Sequence, residues 1–218
     1  MSSPAYAILL ELAAGAVLVC AVVTLWRRSL DAIVKVLAVQ GVALGAVALV
    51  LGIRQQDGVL VAVACLVVAA KGVVIPTLLG RVVAGDPASH EVAPLVNVPA
   101  SLVGAGALTF LAYGATGPVV ALVPTTAGRL IPLGFATLLI GFFAMAVRRK
   151  AGSQIVGLLL VDNGIALVAF LATAGVPLVV ELGASLDVLL AVVVLRVLAT
   201  QMGSFGVLDL DQLRELHD

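Results

Sequence analysis

The chain has 218 residues, of which 62% are hydrophobic and only 11% are charged. This composition excludes a water-soluble globular domain, because such domains carry about 25% charged residues. Twelve basic and 12 acidic residues give a formal net charge of zero, so the sequence lacks the basic surface expected of a nucleic-acid-binding protein.

The first apolar segment begins almost at the N-terminus, in MSSPAYAILLELAAGAVLVCAVVTLW. No basic residue precedes it, it contains Glu11, and its apolar run of about 22 residues is long for a signal peptide. We therefore expect a retained first transmembrane helix. Cys20 in this segment and Cys65 in a later one lie inside apolar runs, so we expect both to pack rather than to form a disulfide or bind a metal.

Seven segments are apolar and long enough to cross a bilayer, which takes about 20 residues. Short connections rich in Gly, Pro or charge separate them. We therefore predict an all-α polytopic membrane protein with its membrane domain at 1–202. A further stretch, GPVVALVPTT at 117–126, is too short to span, and we expect it to lie at an interface or fold back. The predicted spans are Pro4–Leu25, Ala32–Gly52, Gly58–Leu79, Val96–Ala115, Leu130–Val147, Ile155–Ala174 and Val179–Thr200.

Basic residues are distributed unequally between the loops on the two sides of the membrane. The positive-inside rule then predicts an outside N-terminus and a cytoplasmic C-terminus, in the cell inner (plasma) membrane. The tail at 203–218 is acidic and amphipathic, and we predict that it is a short cytoplasmic segment that contacts a partner. The side predicted to be cytoplasmic carries Arg27, Arg28, Arg81, Arg148, Arg149, Lys150 and Arg214, and the other carries Arg54 and Arg129.

Two stretches of the sequence are similar to each other, WRRSLDAIVKVLAVQGVAL at 26–44 and VRRKAGSQIVGLLLVDNGIAL at 147–167. Each places a basic pair before a span with a polar residue about three turns in, Gln40 in the first and Asp162 in the second. Each is followed by a span with an ionisable residue, Lys71 and then Asp187. Duplication of a three-helix unit would explain this pattern, and convergence of membrane-helix composition is the alternative.

Four ionisable residues lie well inside predicted spans: Glu11, Lys71, Asp162 and Asp187. A charge at the bilayer centre costs about 2.5–3.5 kcal/mol on insertion scales, and residues of this kind commonly form proton or ion relays. A static ion pair that orients helices is the alternative. Lys71 could pair with either aspartate or with a residue of another subunit. Lys35, Glu181 and Arg196 lie nearer the helix ends, where long side chains reach the interface.

Pro76 lies five residues after Lys71 and cannot donate a hydrogen bond to the carbonyl of Gly72. We therefore expect the third span to bend or loosen there, which would let water or a polar partner reach the lysine. The sequence has no metal, haem, iron–sulfur or nucleotide motif, and its two histidines fall in a loop and in the tail. We expect this protein to bind no cofactor and to carry no catalytic residue.

A combination of motifs resembles one known family over nearly the whole sequence. The motifs are Lys71 with Pro76, Asp162-Asn163-Gly164, Asp187 followed by AVVV at 191–194, and the closing GVLDLDQL. Together they resemble component E of hydrogenase-4 and formate hydrogenlyase complexes, a larger relative of the K-type subunit of complex I. The K-type subunit has two membrane-embedded glutamates at about the positions of Gln40 and Lys71, so this sequence departs from that pattern.

The resemblance implies a non-catalytic membrane-arm subunit of a complex-I-like energy-converting hydrogenase or a related complex. Its partners would be antiporter-like and H-type membrane subunits, and a peripheral arm with iron–sulfur clusters and a [NiFe] site or its remnant. Gln40, Lys71, Asp162 and Asp187 would then couple electron transfer to proton or sodium movement, with Glu11 as a further ion-relay candidate. A stand-alone secondary transporter and a purely structural membrane anchor are the alternatives.

Overall fold

A computed structural model describes residues 3–85, 96–148 and 151–173 of the chain. These residues belong to one compact unit within Met1–Ala184, and their regular structure is helical, with no β-strand in the described ranges. The α-helices are α1 (Ser3–Trp26), α2 (Leu30–Gln55), α3 (Gly58–Val67), α4 (Ile75–Gly85), α5 (Val98–Ala115), α6 (Gly117–Leu122), α7 (Ile131–Ala146) and α8 (Ala151–Thr173). A π-helical segment, Val68–Val74, joins α3 to α4, and a 3₁₀ turn, Gly128–Leu130, precedes α7.

Six segments of the described chain are long and apolar enough to cross a membrane. They match the first six predicted spans, which confirms a helical protein with several helices that are suited to cross a membrane. The predicted seventh span and the tail lie outside the described residues. The six segments are Pro4–Trp26, Leu30–Gln55, Gly58–Arg81 (the third span, made of α3, the π-helical segment and the start of α4), Val98–Ala115, Gly128–Ala146 and Gln154–Ala172.

Helix α2 and the third span form a hairpin that is closed by a two-residue turn. Gln56 takes the left-handed backbone conformation, with φ of 56°, and its N–H donates to the carbonyl of Gly52. Asp57 then caps α3, because its Oδ1 accepts from the backbone N–H of Val59 at 2.9 Å and of Leu60 at 3.3 Å. With the turn confined to two residues, α2 extends to Gln55, beyond the predicted end at Gly52.

Glycines allow close packing in two helix pairs, α2 with the third span and α7 with α8. Against the third span, a Cβ added to Gly41 of α2 would lie 2.5 Å from the carbonyl oxygen of Lys71. Between α7 and α8, a Cβ on Gly141 would lie 2.6 Å from the backbone nitrogen of Val161. Small residues at membrane helix contacts let backbones approach and increase van der Waals contact, which replaces the hydrophobic effect as the driving force in lipid.

Arginines hold α1 near both of its ends. The guanidinium of Arg54 at the end of α2 lies 5.6 Å from the ring centre of Tyr6, within the range of a cation–π contact. At the other end, Nη2 of Arg148 donates to the main-chain oxygen of Thr24 at 2.9 Å, where the helix dipole favours a cation. Burial lowers the pKa of Arg148 to about 10, so this side chain stays charged at neutral pH.

The stretch GPVVALVPTT forms a short helix instead of a span. Helix α6 has six residues, Gly117–Leu122, and none of them is buried. Helix α5 before it begins at Val98 rather than at the predicted Val96, because Asn97 accepts from the backbone N–H of Ala100 at 3.0 Å and so caps the helix. Six residues are far too few to cross the hydrocarbon layer, as predicted.

The two cysteines lie in different surroundings, and neither forms a disulfide. Cys20 is buried in the bundle, which agrees with the expected packing role. Cys65 is exposed on the third span, so the prediction that it packs in the bundle is wrong. In a membrane helix, the face that meets lipid is as apolar as the face that packs in the bundle. Sequence alone therefore does not show on which of these two faces a cysteine lies.

We predict that Gly141→Ala lowers the free energy of unfolding by about 1–3 kcal/mol, because the added methyl group would overlap the backbone of α8. Gly106→Ala is the matched control, since no atom lies within 4 Å of the position that its Cβ would occupy. The loss of folded protein on heating in detergent, followed by size-exclusion chromatography, measures both variants. Equal midpoints for the two would contradict the close contact between α7 and α8.

Candidate functional site

Lys71 and Asp162 form an ion pair in the middle of the helix bundle. The Nζ atom of Lys71 lies 2.5 Å from Oδ2 of Asp162, and the side chains are only 4% and 8% exposed. Lys71 lies about 20 Å along the helix from Gly58 and about 15 Å from Arg81, so the pair sits far from either end of the third span. Of the partners considered for Lys71, Asp162 is the one that the described residues place beside it.

A second polar contact joins Gln40 of α2 to Asn163 of α8. Nε2 of Gln40 donates to the main-chain oxygen of Val17 in α1 at 3.0 Å, and Oε1 accepts from Nδ2 of Asn163 at 2.9 Å. The carbonyl of Val17 can only accept, so it fixes which end of the Gln40 amide faces α1. The two residues are buried, and their hydrogen bonds link three helices through neutral groups.

The third span changes its helix type around Lys71. In the π-helical segment Val68–Val74, the N–H of Ile75 donates to the carbonyl of Ala70 five residues earlier. Pro76 follows inside the same continuous helix, and a π-helical adjustment is one way in which a membrane helix accommodates a residue without an N–H. Such π-helical turns are rare and occur frequently at functional sites, because they displace the side chains of one turn. Gly41 packs against the backbone of Lys71 and leaves room for this wide turn.

A small cavity lies beside the ion pair. Its volume of about 10 Å³ is at the lower limit for one water molecule. Apolar side chains form most of its wall, and the polar groups of Lys71, Asp162 and Asn163 provide the hydrogen-bond partners that a buried water needs. The lining residues are Leu37, Lys71, Ile75, Pro76, Leu79, Leu159, Asp162 and Asn163.

The predicted site residues do not all come together. Lys71, Asp162 and Pro76 line one cavity, and Gln40 contacts Asn163, the neighbour of Asp162. Glu11 instead lies exposed on the outer surface of α1. Asp187 falls outside the described residues, so its place in the site stays a prediction.

Sequence reasoning missed the role of Asn163. The Asp162-Asn163-Gly164 motif includes this residue, but the motif does not show that Asn163 is the partner of Gln40. Adjacent residues on a helix point about 100° apart, so Asp162 and Asn163 can face two different neighbouring helices. The signal that sequence offered was one side-chain amide in each of two predicted spans, Gln40 in the second and Asn163 in the sixth, because amides in membrane helices tend to pair across helices.

The arrangement can move or hold charge. Lysine and aspartate exchange protons with a water molecule, and a buried ion pair can separate when a further charge approaches. Among the described residues, no group of three or more His, Cys, Asp or Glu side chains is placed to hold a metal ion. Proton exchange and charge pairing are two kinds of chemistry that the lysine–aspartate pair supports.

The fold and the site define a class: a polytopic helical membrane protein with a lysine–aspartate pair buried inside its bundle. The protein is 49% identical over 220 aligned residues to the uncharacterized protein Rv0085 of Mycobacterium tuberculosis strain H37Rv, with 100% of each sequence covered. It belongs to the same protein family as Rv0085. No protein-family model matches the sequence, and no solved structure matches it.

We predict that Lys71→Met and Asp162→Leu each destabilise the protein by about 3–5 kcal/mol, because each removes one member of a buried ion pair. The double variant Lys71→Met with Asp162→Leu should recover much of that loss, because it buries no charge at this position. Thermal unfolding of the four proteins in detergent forms a double-mutant cycle. Strictly additive losses would show that the two side chains do not interact.

Proposed function

We propose that the protein is a membrane-arm subunit of a complex-I-like energy-converting hydrogenase or a hydrogenase-related complex. In this role it carries no catalytic centre and contributes to coupling electron transfer with proton or sodium translocation. Its partners are antiporter-like and H-type membrane subunits and a peripheral arm that holds iron–sulfur clusters and a [NiFe] site or its remnant. The N-terminus lies outside and the C-terminus in the cytoplasm.

The observation that carries the proposal is the buried pair of Lys71 and Asp162 next to a π-helical turn and a water-sized cavity. Ionisable residues in transmembrane helices mark ion and proton pathways more often than they serve packing. The motifs that include these residues are also those that resemble component E of hydrogenase-4. The buried ion pair and the resemblance to component E therefore point to the same two residues, Lys71 and Asp162.

Two other functions are less well supported. A stand-alone transporter of solutes needs a binding cavity, and ligand pockets usually measure about 300–1,000 Å³, whereas the cavity at Lys71 measures about 10 Å³. A structural anchor would explain the ion pair, and Pro76 would explain the π-helical turn, but an anchor gives no reason for the resemblance of these positions to component E of hydrogenase-4. Purified protein that catalyses ion flux alone would favour the transporter.

The first experiment is an affinity purification in mild detergent from the native membrane, with identification of the copurifying subunits. We expect antiporter-like subunits and an iron–sulfur protein in stoichiometric amounts with the tagged protein. A protein that purifies alone under conditions that preserve other membrane complexes would contradict the proposal.

We predict that Lys71→Met slows ion pumping more than electron transfer, because the substitution removes the exchangeable charge of the pair. Membrane vesicles supplied with formate or hydrogen and a dye acceptor report electron transfer, and quenching of a pH-sensitive acridine dye reports pumping. Lys35→Met is the matched control, since it makes the same substitution at an exposed lysine of α2. An intact Lys71→Met complex that pumps at the wild-type ratio to electron transfer would refute the coupling role.

A further inference from the structure

Glu11 differs from the other deep polar residues because it points away from the bundle. It lies about 10 Å along α1 from Pro4 and about 22 Å from Trp26, well inside the first span. Its side chain is exposed, and it makes no hydrogen bond or ion pair within the described part of the chain. The carboxyl group therefore faces the surroundings of the protein at a depth where those surroundings are hydrocarbon.

The neighbours of Glu11 on the same face would let another helix come close. Ile8 and Leu12 are exposed apolar side chains, 56% and 65% accessible. Gly15, one turn after Glu11, has no atom within 4 Å of the position that a Cβ would occupy. Small residues with open space beside them allow the backbones of two membrane helices to approach.

Exposure alone does not identify a contact surface, as α5 demonstrates. Its exposed side chains include Val103 and Phe110, which are 73% and 83% accessible and wholly apolar. Lipid can cover such a face without desolvating any charge. The face of α1 is different, because lipid around Glu11 would leave a carboxyl group in hydrocarbon without a partner.

We propose that the Glu11 face of α1, defined by Ile8, Glu11, Leu12 and Gly15, binds a transmembrane helix of another subunit. That helix places a lysine or an arginine against Glu11. Inside the bundle, a charged side chain in a membrane span is likewise paired with an opposite charge, as Lys71 is with Asp162. The inference rests on the proposed function only in requiring a membrane partner.

A second copy of the protein is a poor occupant of this face. Two copies inserted in the same orientation would be related by an axis along the membrane normal, so contacts through α1 would bring Glu11 close to Glu11 of the partner. Like charges at one depth repel each other, and neither copy would supply the missing cation. Charge complementarity therefore favours a different protein with a basic side chain in its span.

The test uses a photo-crosslinking amino acid, p-benzoylphenylalanine, at position 12 of the full-length protein in native membranes. Phe110 of α5 provides the matched control position, because this helix carries no charged residue. We expect position 12 to crosslink to one membrane protein, at a transmembrane helix with a Lys or Arg within one turn of the attachment point. Position 110 should crosslink to lipid.

Other outcomes at position 12 overturn the proposal. These are crosslinks to lipid alone, to a second copy of the protein, or within the same molecule to 179–200, a segment that includes Arg196. A crosslink to a basic helix of a protein unrelated to hydrogenase complexes would support the contact surface while contradicting the proposed function. Conversely, lipid crosslinks in a complex that contains antiporter-like subunits would contradict the contact surface alone.

A second measurement separates assembly from folding. We predict that Glu11→Leu lowers the amount of partner that copurifies, whereas Glu11→Asp retains it, because only the first removes the negative charge. The thermal stability of the isolated protein should not change, since Glu11 is exposed and makes no hydrogen bond or ion pair in the described bundle. Wild-type recovery of the partner with Glu11→Leu would overturn the inference.

Discussion

A charge inside the hydrocarbon layer needs an opposite charge or a hydrogen-bond partner, and this need governs the centre of the bundle. Lys71 on the third span and Asp162 on α8 are separated by 91 positions in the sequence, yet Nζ and Oδ2 are 2.5 Å apart. The pair thus links the third span to α8. Gln40 and Asn163 impose the same kind of constraint between α2 and α8.

The glycines that follow these buried amides bring further helices close to the elements that carry them. Gln40 is followed by Gly41, which packs against the backbone of Lys71. Asn163 is followed by Gly164, whose added Cβ would lie 2.5 Å from the backbone nitrogen of Leu138 in α7. Each buried amide is therefore paired in sequence with the small residue that brings a neighbouring helix near.

Composition alone predicted the helical membrane fold and six of its spans, because bilayer thickness fixes the length of an apolar segment. The partner of Lys71 was predicted only as one of several candidates. Helical periodicity places side chains around one helix, but it does not determine which helices are neighbours. For the same reason, sequence grouped Glu11 with the buried residues and treated Cys65 as packed. Depth along a helix can be read from sequence, whereas the direction that a side chain faces depends on tertiary packing.

The size of the cavity beside Lys71 has a consequence for ion selectivity. A metal cation that leaves water needs several oxygen atoms to replace its hydration shell. A space of about 10 Å³ holds one water at most, and the lysine ammonium offers only hydrogen-bond donors. A proton needs no coordination shell, because it can pass along a single hydrogen-bonded water. If the protein has the coupling role that we propose, the few oxygen ligands around this cavity suit a proton better than a sodium ion.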